Sequence, residues 1–330
     1  MKNLDVSNPS FEDLILKGSL YVDKTSYIHE LVTKGTYYFC SRPRRFGKTL
    51  TISTLESLFK GKRELFKGLA IDSLNYDWKT YPVLHIDFGK CQAKNPEEIE
   101  DWINFTLGRI ASEYGLLIDK NEKYYQNMTA LIEELSKTSK VVILVDEYDK
   151  ILSSNIYNPC VEDMRNVIRG FFEVIKASYD SMRFVFITGV TKYAKVSVFS
   201  SMNNLNDISM DERYSCLFGY TQKELEDNFA EYIESGASKT GIGKEEYLKK
   251  LKDQYDGYRF AVRSETVYNP VSIGMFFSKG GTSFDNYWVD TGNMKLLMDL
   301  SKKVNFNVDS SLEEPLDITD LTSFDIIGMA

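Results

Sequence analysis

Histidine occurs twice and cysteine four times in 330 residues, and that scarcity removes several kinds of chemistry at the outset. With only His29 and His85 available, a histidine-built metal centre or catalytic triad has little to work with. Cys40, Cys91, Cys160 and Cys216 are scattered without Cys-x-x-Cys spacing, a pattern of reduced thiols that argues against a zinc site or a disulfide framework. No apolar run approaches the ~20 residues of a membrane-crossing helix. The start Met1-Lys2-Asn3-Leu4-Asp5 also lacks the apolar stretch of a signal peptide, so a cytoplasmic chain without membrane attachment is expected. Positive charge is in short supply: the formal net charge is −8, whereas binding to nucleic acid draws most of its affinity from neutralising phosphates. The densest basic cluster after the core, Lys244, Lys249, Lys250 and Lys252, is interleaved with Glu245 and Glu246 and suits a solvated helix face. Direct DNA contact is therefore weakly supported. No internal repeat or low-complexity tract stands out.

What remains is a chain 43% hydrophobic and 27% charged, long enough to bury a sizeable core and to form two domains. Its most informative stretch is Ser41-Arg42-Pro43-Arg44-Arg45-Phe46-Gly47-Lys48-Thr49, entered from the apolar run Tyr37-Tyr38-Phe39-Cys40. Gly-Lys-Thr after a strand is how a phosphate-binding loop seats a triphosphate. The backbone N–H groups wrap the phosphates, the lysine reaches the outer two, and the threonine hydroxyl holds Mg²⁺ at the head of a helix whose dipole favours anions. Arg42 stands where the usual pattern has its first glycine. The context fits: β-type residues precede the loop, and Ile52, Leu55, Leu58 and Phe59 recur at helical spacing after it until Gly61. Residues 42–50, namely Arg42, Pro43, Arg44, Arg45, Phe46, Gly47, Lys48, Thr49 and Leu50, are the expected cradle for ATP, with Thr49 on the metal.

A second constellation, Val141-Val142-Ile143-Leu144-Val145-Asp146-Glu147-Tyr148-Asp149, reads as a buried parallel strand with acids at its carboxyl end. Asp146 is the expected second Mg²⁺ ligand and Glu147 the residue that polarises the attacking water. Asp149 is read as a cap for the following helix. A third strand, Arg183-Phe184-Val185-Phe186-Ile187, ends at Thr188, either a contact to the γ-phosphate or water, or a hydroxyl that satisfies a loop backbone group.

Val83-Leu84-His85-Ile86-Asp87-Phe88 reads as a further strand, and Asn95-Pro96-Glu97 as a cap, first-turn proline and acid opening a helix whose buried face is Ile99, Trp102, Ile103, Leu107 and Ile110. Another helix carries Met164, Val167, Ile168, Phe171, Phe172 and Ile175. Strands alternating with helices predict an α/β fold, a three-layer αβα parallel sheet. A change occurs near Gly219: Thr221-Gln222-Lys223-Glu224 is a capping box that opens a helix with Leu225, Phe229, Tyr232 and Ile233, followed by short helices broken at Gly236, Gly241 and Gly243. The expected division is a core over residues 1–219, including an N-terminal approach segment, and a smaller helical domain over residues 220–330.

Together with Tyr21-Val22-Asp23-Lys24-Thr25, Val145-Asp146-Glu147-Tyr148-Asp149-Lys150, Ile187-Thr188-Gly189-Val190-Thr191 and Tyr255-Asp256-Gly257-Tyr258-Arg259-Phe260, the loop motif makes this chain resemble the bacterial predicted AAA-ATPase-like family, related to the STAND and archaeal ATPases. The resemblance implies an AAA-like P-loop NTPase core and a helical, winged-helix-like region after it, with Val267-Tyr268-Asn269-Pro270 and Asn286-Tyr287-Trp288-Val289 as its extended pieces. It also implies that Tyr21-Val22-Asp23-Lys24-Thr25 approaches the nucleotide base and that an arginine at the first loop position is a family habit. Many relatives carry a PD-(D/E)XK nuclease domain. No comparable Asp…Glu-x-Lys constellation follows the ATPase motifs here, so nuclease activity is not expected.

The function these readings imply is Mg²⁺-dependent hydrolysis of ATP to ADP and phosphate, driving a lid or partner switch. Lys48, Glu147 and Thr188 are its catalytic candidates, joined by Arg259 as the cation that meets transition-state charge, with Arg213 as runner-up. Partners expected beyond ATP and ADP are a protein client or further copies of the chain. Two alternatives compete: a nucleotide-gated sensor or scaffold with little turnover, and a DNA-associated regulator using the winged-helix-like end.

Overall fold

The computed structural model describes residues 1–190, 198, 199 and 202–287. The acidic stretch after Lys303, the pair Trp288-Val289, and Thr191 lie outside the described residues. Five strands, β1 (Tyr37–Ser41), β2 (Val83–Asp87), β3 (Val141–Asp146), β4 (Met182–Gly189) and the two-residue β5 (Asn206–Asp207), form one sheet in the order β2-β3-β4-β1-β5. Every pairing is parallel, and the continuous apolar runs of β1 and β3 fit that arrangement, since a strand buried on both faces needs no polar alternation.

Successive residues of each strand feed two cores. Phe39, Ile143, Val145, Val185 and Ile187 face one side, and Tyr38, Leu144, Phe184 and Phe186 the other. Against the first side pack α4 (Pro96–Glu113), α5 (Tyr124–Ser136) and α7 (Val161–Ala177). Against the second pack α1 (Phe11–Leu16), α2 (Thr25–Lys34) and α3 (Lys48–Phe59). Burying each large apolar side chain contributes about 1.5–3 kcal/mol, and this three-layer arrangement is the one the sequence predicts. The Asn95 side chain caps α4 by accepting the Glu98 N–H, with Pro96 in the first turn, as expected.

A third core joins α8 (Gln222–Asn228), α9 (Ala230–Thr240), α10 (Lys244–Tyr255) and α11 (Pro270–Ser278). The Thr221 capping box is present, but the single helix expected after it is broken at Phe229, which leaves helical geometry and sets its ring between Tyr220, Tyr232 and Phe277. Gly236 does not interrupt a helix. It lies inside α9, where a Cβ would stand 2.0 Å from the Tyr247 hydroxyl, and that hydroxyl donates to the Gly281 carbonyl. Gly241 and Gly243 do bound helices. Of the extended pieces expected there, Val267 and Tyr268 form isolated antiparallel bridges to Tyr258 and Tyr220 among the described residues. The helical core also takes in Val22, with Leu4 and Leu20 packed against it, while Phe11 and Tyr21 join the second core, so the N-terminal segment packs into both. Among the described residues no helix is long and apolar enough to cross a membrane.

Candidate nucleotide site

At the carboxyl end of β1 the chain turns through Arg42–Phe46 and enters α3 at Gly47, whose φ of +92° a glycine accepts without the Cβ clash of other residues. Arg45 also has positive φ, +68°, a conformation that costs a non-glycine residue roughly 1–2 kcal/mol. The N–H groups of Lys48, Thr49 and Leu50 begin α3 with no carbonyl a turn earlier inside the helix, leaving donors and the positive end of the dipole at the loop. The Lys48 ammonium is buried and donates to the carbonyls of Arg42 and Pro43, both at 2.9 Å. Burial pulls its pKa down, against the attraction of Asp146, Asp149 and Glu147.

The sheet order explains what faces the loop. β4 lies between β1 and β3, with Thr188 level with Cys40 and Ile187 level with Val145. The tips of three adjacent parallel strands therefore converge, and Asp146 is their centre. One carboxylate oxygen accepts the Thr49 hydroxyl at 2.6 Å, and the other accepts the Thr188 hydroxyl at 2.5 Å and the Glu147 N–H at 2.9 Å. Thr188 is fully buried, and its hydroxyl is directed at Asp146, the contact that fixes the carboxylate's orientation.

Glu147 follows with φ of +50°, a strained backbone for a residue with a Cβ, and strain of this kind concentrates at functional sites. Its carboxyl is half-buried. Burial and then the charge of Asp146 raise its pKa, partly offset by Lys48 and Lys150. The side chain lies beside Gly89, in the short turn Phe88–Lys90 after β2, where a Cβ would come within 2.8 Å of the Glu147 Oε2 atom. Asp149 does not cap the next helix, α6 (Lys150–Ser154), with its side chain. It accepts the Val190 N–H instead, at 3.1 and 3.2 Å, and so braces the tip of β4.

Several side chains singled out from the sequence are engaged away from the loop. Arg42 does not turn its side chain to the cradle: the guanidinium is buried, donates to the carbonyls of Ser41 at 3.0 Å and Ser209 at 2.6 Å, and lies 4.2 Å from the centre of the Phe260 ring. Only its backbone carbonyl meets Lys48. Arg259 is exposed and lies outside the lining of the cleft, because its neighbours Tyr258 and Phe260 take the inward positions against Phe46. From the motif at Tyr21, Tyr21, Val22 and Lys24 line the cleft, while Asp23 caps Thr25 and the Ala70 N–H, and the Lys24 ammonium is held by a buried ion pair with Glu224 at 2.6 Å and a bond to the Cys216 carbonyl. Arg213 is held locally by Asp211.

The cleft encloses about 600 Å³, running from Lys48, Thr49 and Glu147 past the N-terminal strap to Phe229 and Pro270, a volume in the ordinary range for a small-molecule site. Thr49 and Asp146 offer adjacent hard oxygen donors that suit Mg²⁺, which binds through one or two protein oxygens plus phosphate and water. Among the described residues no group of three or more His, Cys, Asp or Glu side chains gathers as an all-protein metal cage. Gly89 and Lys150 belong to this site and were not singled out from sequence. Lys150 was legible in principle, three residues beyond Glu147, whereas nothing in the sequence marks Gly89.

Among solved structures, the chain is similar to that of the Aeropyrum pernix ORC2 protein (ADPNP–ADP complexes), with 12% identity, 98% of this chain and 82% of that chain covered, and a TM-score of 0.36. It is 37% identical over 284 residues to an uncharacterized protein of the vnfD 5′ region of Azotobacter chroococcum mcd 1, a match covering 85% of this chain and 52% of that protein, so the chain spans about half the length of this curated relative. A family model described as predicted AAA-ATPase matches residues 6–199, and on that match the chain belongs to the predicted AAA-ATPase family.

Proposed function

We propose that this chain binds Mg²⁺·ATP in the cleft and hydrolyses it, using the cycle to move its C-terminal helices against the core. The observation that carries the reading is the chain of bonds from Thr49 through Asp146 to Thr188 at the head of α3, with the Lys48 ammonium beside it. Lys48 leaves the carbonyls of Arg42 and Pro43 for the β and γ phosphates, and the first N–H groups of α3 bind their oxygens. Bound Mg²⁺, held by Thr49 and Asp146, supplies neutralisation of the phosphate oxygens. Thr188 keeps Asp146 in register for that task. Glu147 orients a water and takes its proton, a role that its raised pKa suits. The apolar far end, with Phe229, Pro270 and Val271, receives the nucleoside.

Coupling to the helical region is supported by contacts that bind the loop to it. The Phe46 ring packs edge-on against Tyr258 and Phe260, Arg42 lies over Phe260, and Lys24 pairs with Glu224 at the start of α8. A shift of the loop on phosphate binding is thereby felt in the second half of the molecule.

The test is phosphate release by purified protein with Mg²⁺·ATP. Wild type turns over, and Glu147→Gln binds nucleotide but loses at least about 100-fold in kcat. Equal turnover by Glu147→Gln would remove that residue from the chemistry.

A further inference from the structure

We infer that Lys150 supplies the cation that meets charge developing on the transferred phosphoryl group, so that hydrolysis needs no arginine from a second subunit. The inference rests on the ATPase reading above and adds a catalytic residue to it. In phosphoryl transfer the protein mostly contributes position and charge, and a cation placed on the departing γ-phosphoryl oxygens is among its largest contributions. The two arginines that the sequence suggests for that task are poorly placed within the chain. Arg259 is exposed outside the cleft, and Arg213 is exposed and doubly bonded to Asp211, its Nη2 at 2.6 Å.

Lys150 is placed differently. It is half-buried and lines the same cleft as Lys48, Thr49 and Glu147. Its N–H donates to the Glu147 carbonyl at 2.9 Å, so the left-handed turn at Glu147 fixes where α6 starts and holds the lysine on the β3 side of the site. That side is the one from which a water oriented by Glu147 would attack. The other partly or fully buried lysines among the described residues are committed: Lys24 to Glu224 at 2.6 Å, Lys60 to Glu56 at 2.7 Å, Lys62 to Glu12 at 2.5 Å, and Lys48 to two loop carbonyls. The Lys150 ammonium has no ion pair among the described residues, Glu147 included, even though it stands close enough to lower that residue's pKa. Arg44 and Arg45 also line the cleft without an ion pair, but both are exposed on the loop itself, where they meet the phosphates from the cradle side in ground and transition state alike.

In the step proposed, the water oxygen forms a bond to the γ-phosphorus, and the bond from phosphorus to the bridging oxygen breaks with its electron pair leaving on ADP. The water proton passes to Glu147, and the Lys150 ammonium donates to the γ oxygens as their charge is redistributed. A flexible point charge with three donors can follow those oxygens through the displacement.

The experiment uses the full chain with Lys150→Met and Lys150→Arg. It measures phosphate release at saturating Mg²⁺·ATP over a wide range of protein concentration, nucleotide affinity by titration, and the thermal melt of each variant. The expected result is a kcat lower by about 100-fold in Lys150→Met and an ATP affinity within about threefold of wild type. Recovery of much of the rate in Lys150→Arg, an unchanged melt, and wild-type turnover per chain independent of concentration complete it. Wild-type turnover in Lys150→Met, or specific activity that climbs steeply with concentration, would overturn the proposal. A pH–rate profile separates direct action from mere orientation of Glu147: loss of charge on the phosphoryl group lowers the plateau, whereas release of Glu147 alone would shift the acidic limb without lowering the plateau, and that outcome also counts against Lys150 as the cation. A wild type that binds nucleotide but releases no phosphate refutes the ATPase reading first, a result distinct from an active wild type insensitive to Lys150.

Discussion

Replacing Gly89 with alanine tests the placement of Glu147 without touching it. A Cβ at that position would stand 2.8 Å from Glu147 Oε2 and 2.8 Å from Asp87 Oδ1. Ordinary contact begins at 3.4 Å, so the Glu147 carboxylate must retreat by about 0.6 Å, the difference between those distances. Both clashing atoms are the ends of side chains and the backbone of Gly89 is not in the left-handed region, so the fold can absorb the methyl group at a cost under about 1 kcal/mol. Catalysis has less room, because misplacing a reacting group by about 1 Å can cost 100-fold. The expectation is a fall in kcat of about tenfold or more, or ~1.4 kcal/mol of barrier, with nucleotide affinity and melting temperature near wild type. Phosphate release, nucleotide titration and a thermal melt on the same preparation decide it. Full turnover in a normally folded Gly89→Ala protein would refute the assignment of Glu147 as the water-orienting group.

Lys24→Met leaves Glu224 partly buried without its cation and is expected to cost about 3 kcal/mol of stability, read as a lower denaturant midpoint; an unchanged midpoint would show that the pair does not tie the N-terminal motif to α8. Burial alone would raise the pKa of Glu56, but hydrogen bonds from His85 and Lys60 prevail and bring it from 4.5 to about 2. The stability this group contributes is therefore full above pH 4.5 and is lost as pH falls toward about 2. Glu56→Gln should remove that part of the acid sensitivity, on the order of 3 kcal/mol, and identical acid unfolding curves for the two proteins would contradict it.

The parts of the site legible in sequence are those in which local pattern and sheet geometry agree. An apolar run leading into Gly47-Lys48-Thr49, and another ending at Asp146, must bring their tips to one edge once the strands are parallel. Thr188 followed by the same logic, but its hydroxyl donates to the Asp146 carboxylate, a partner that neither of its two sequence alternatives named. What escaped is set by partners distant in the chain. A guanidinium in a loop reads as solvated, yet Arg42 is buried by carbonyls and rings, the Ser209 carbonyl 167 positions away among them. Lys24 meets Glu224 across 200 positions, so its role as a clasp could not be read from Tyr21-Val22-Asp23-Lys24-Thr25 alone. Gly236 reads as a breaker because glycine disfavours helices, and the Tyr247 ring and the Gly281 carbonyl beside it explain why α9 needs a residue without a side chain there.

The central claim is that Lys48, Thr49 and Asp146 form one seat for a magnesium-bound triphosphate. Calorimetric titration of the purified chain with ATP, with and without Mg²⁺, against Lys48→Ala tests it most directly. The account predicts one nucleotide bound per wild-type chain, with Mg²⁺ tightening the complex, and no detectable binding to a folded Lys48→Ala protein. Equal affinity in the two proteins, or a wild type that binds no nucleotide, would contradict it.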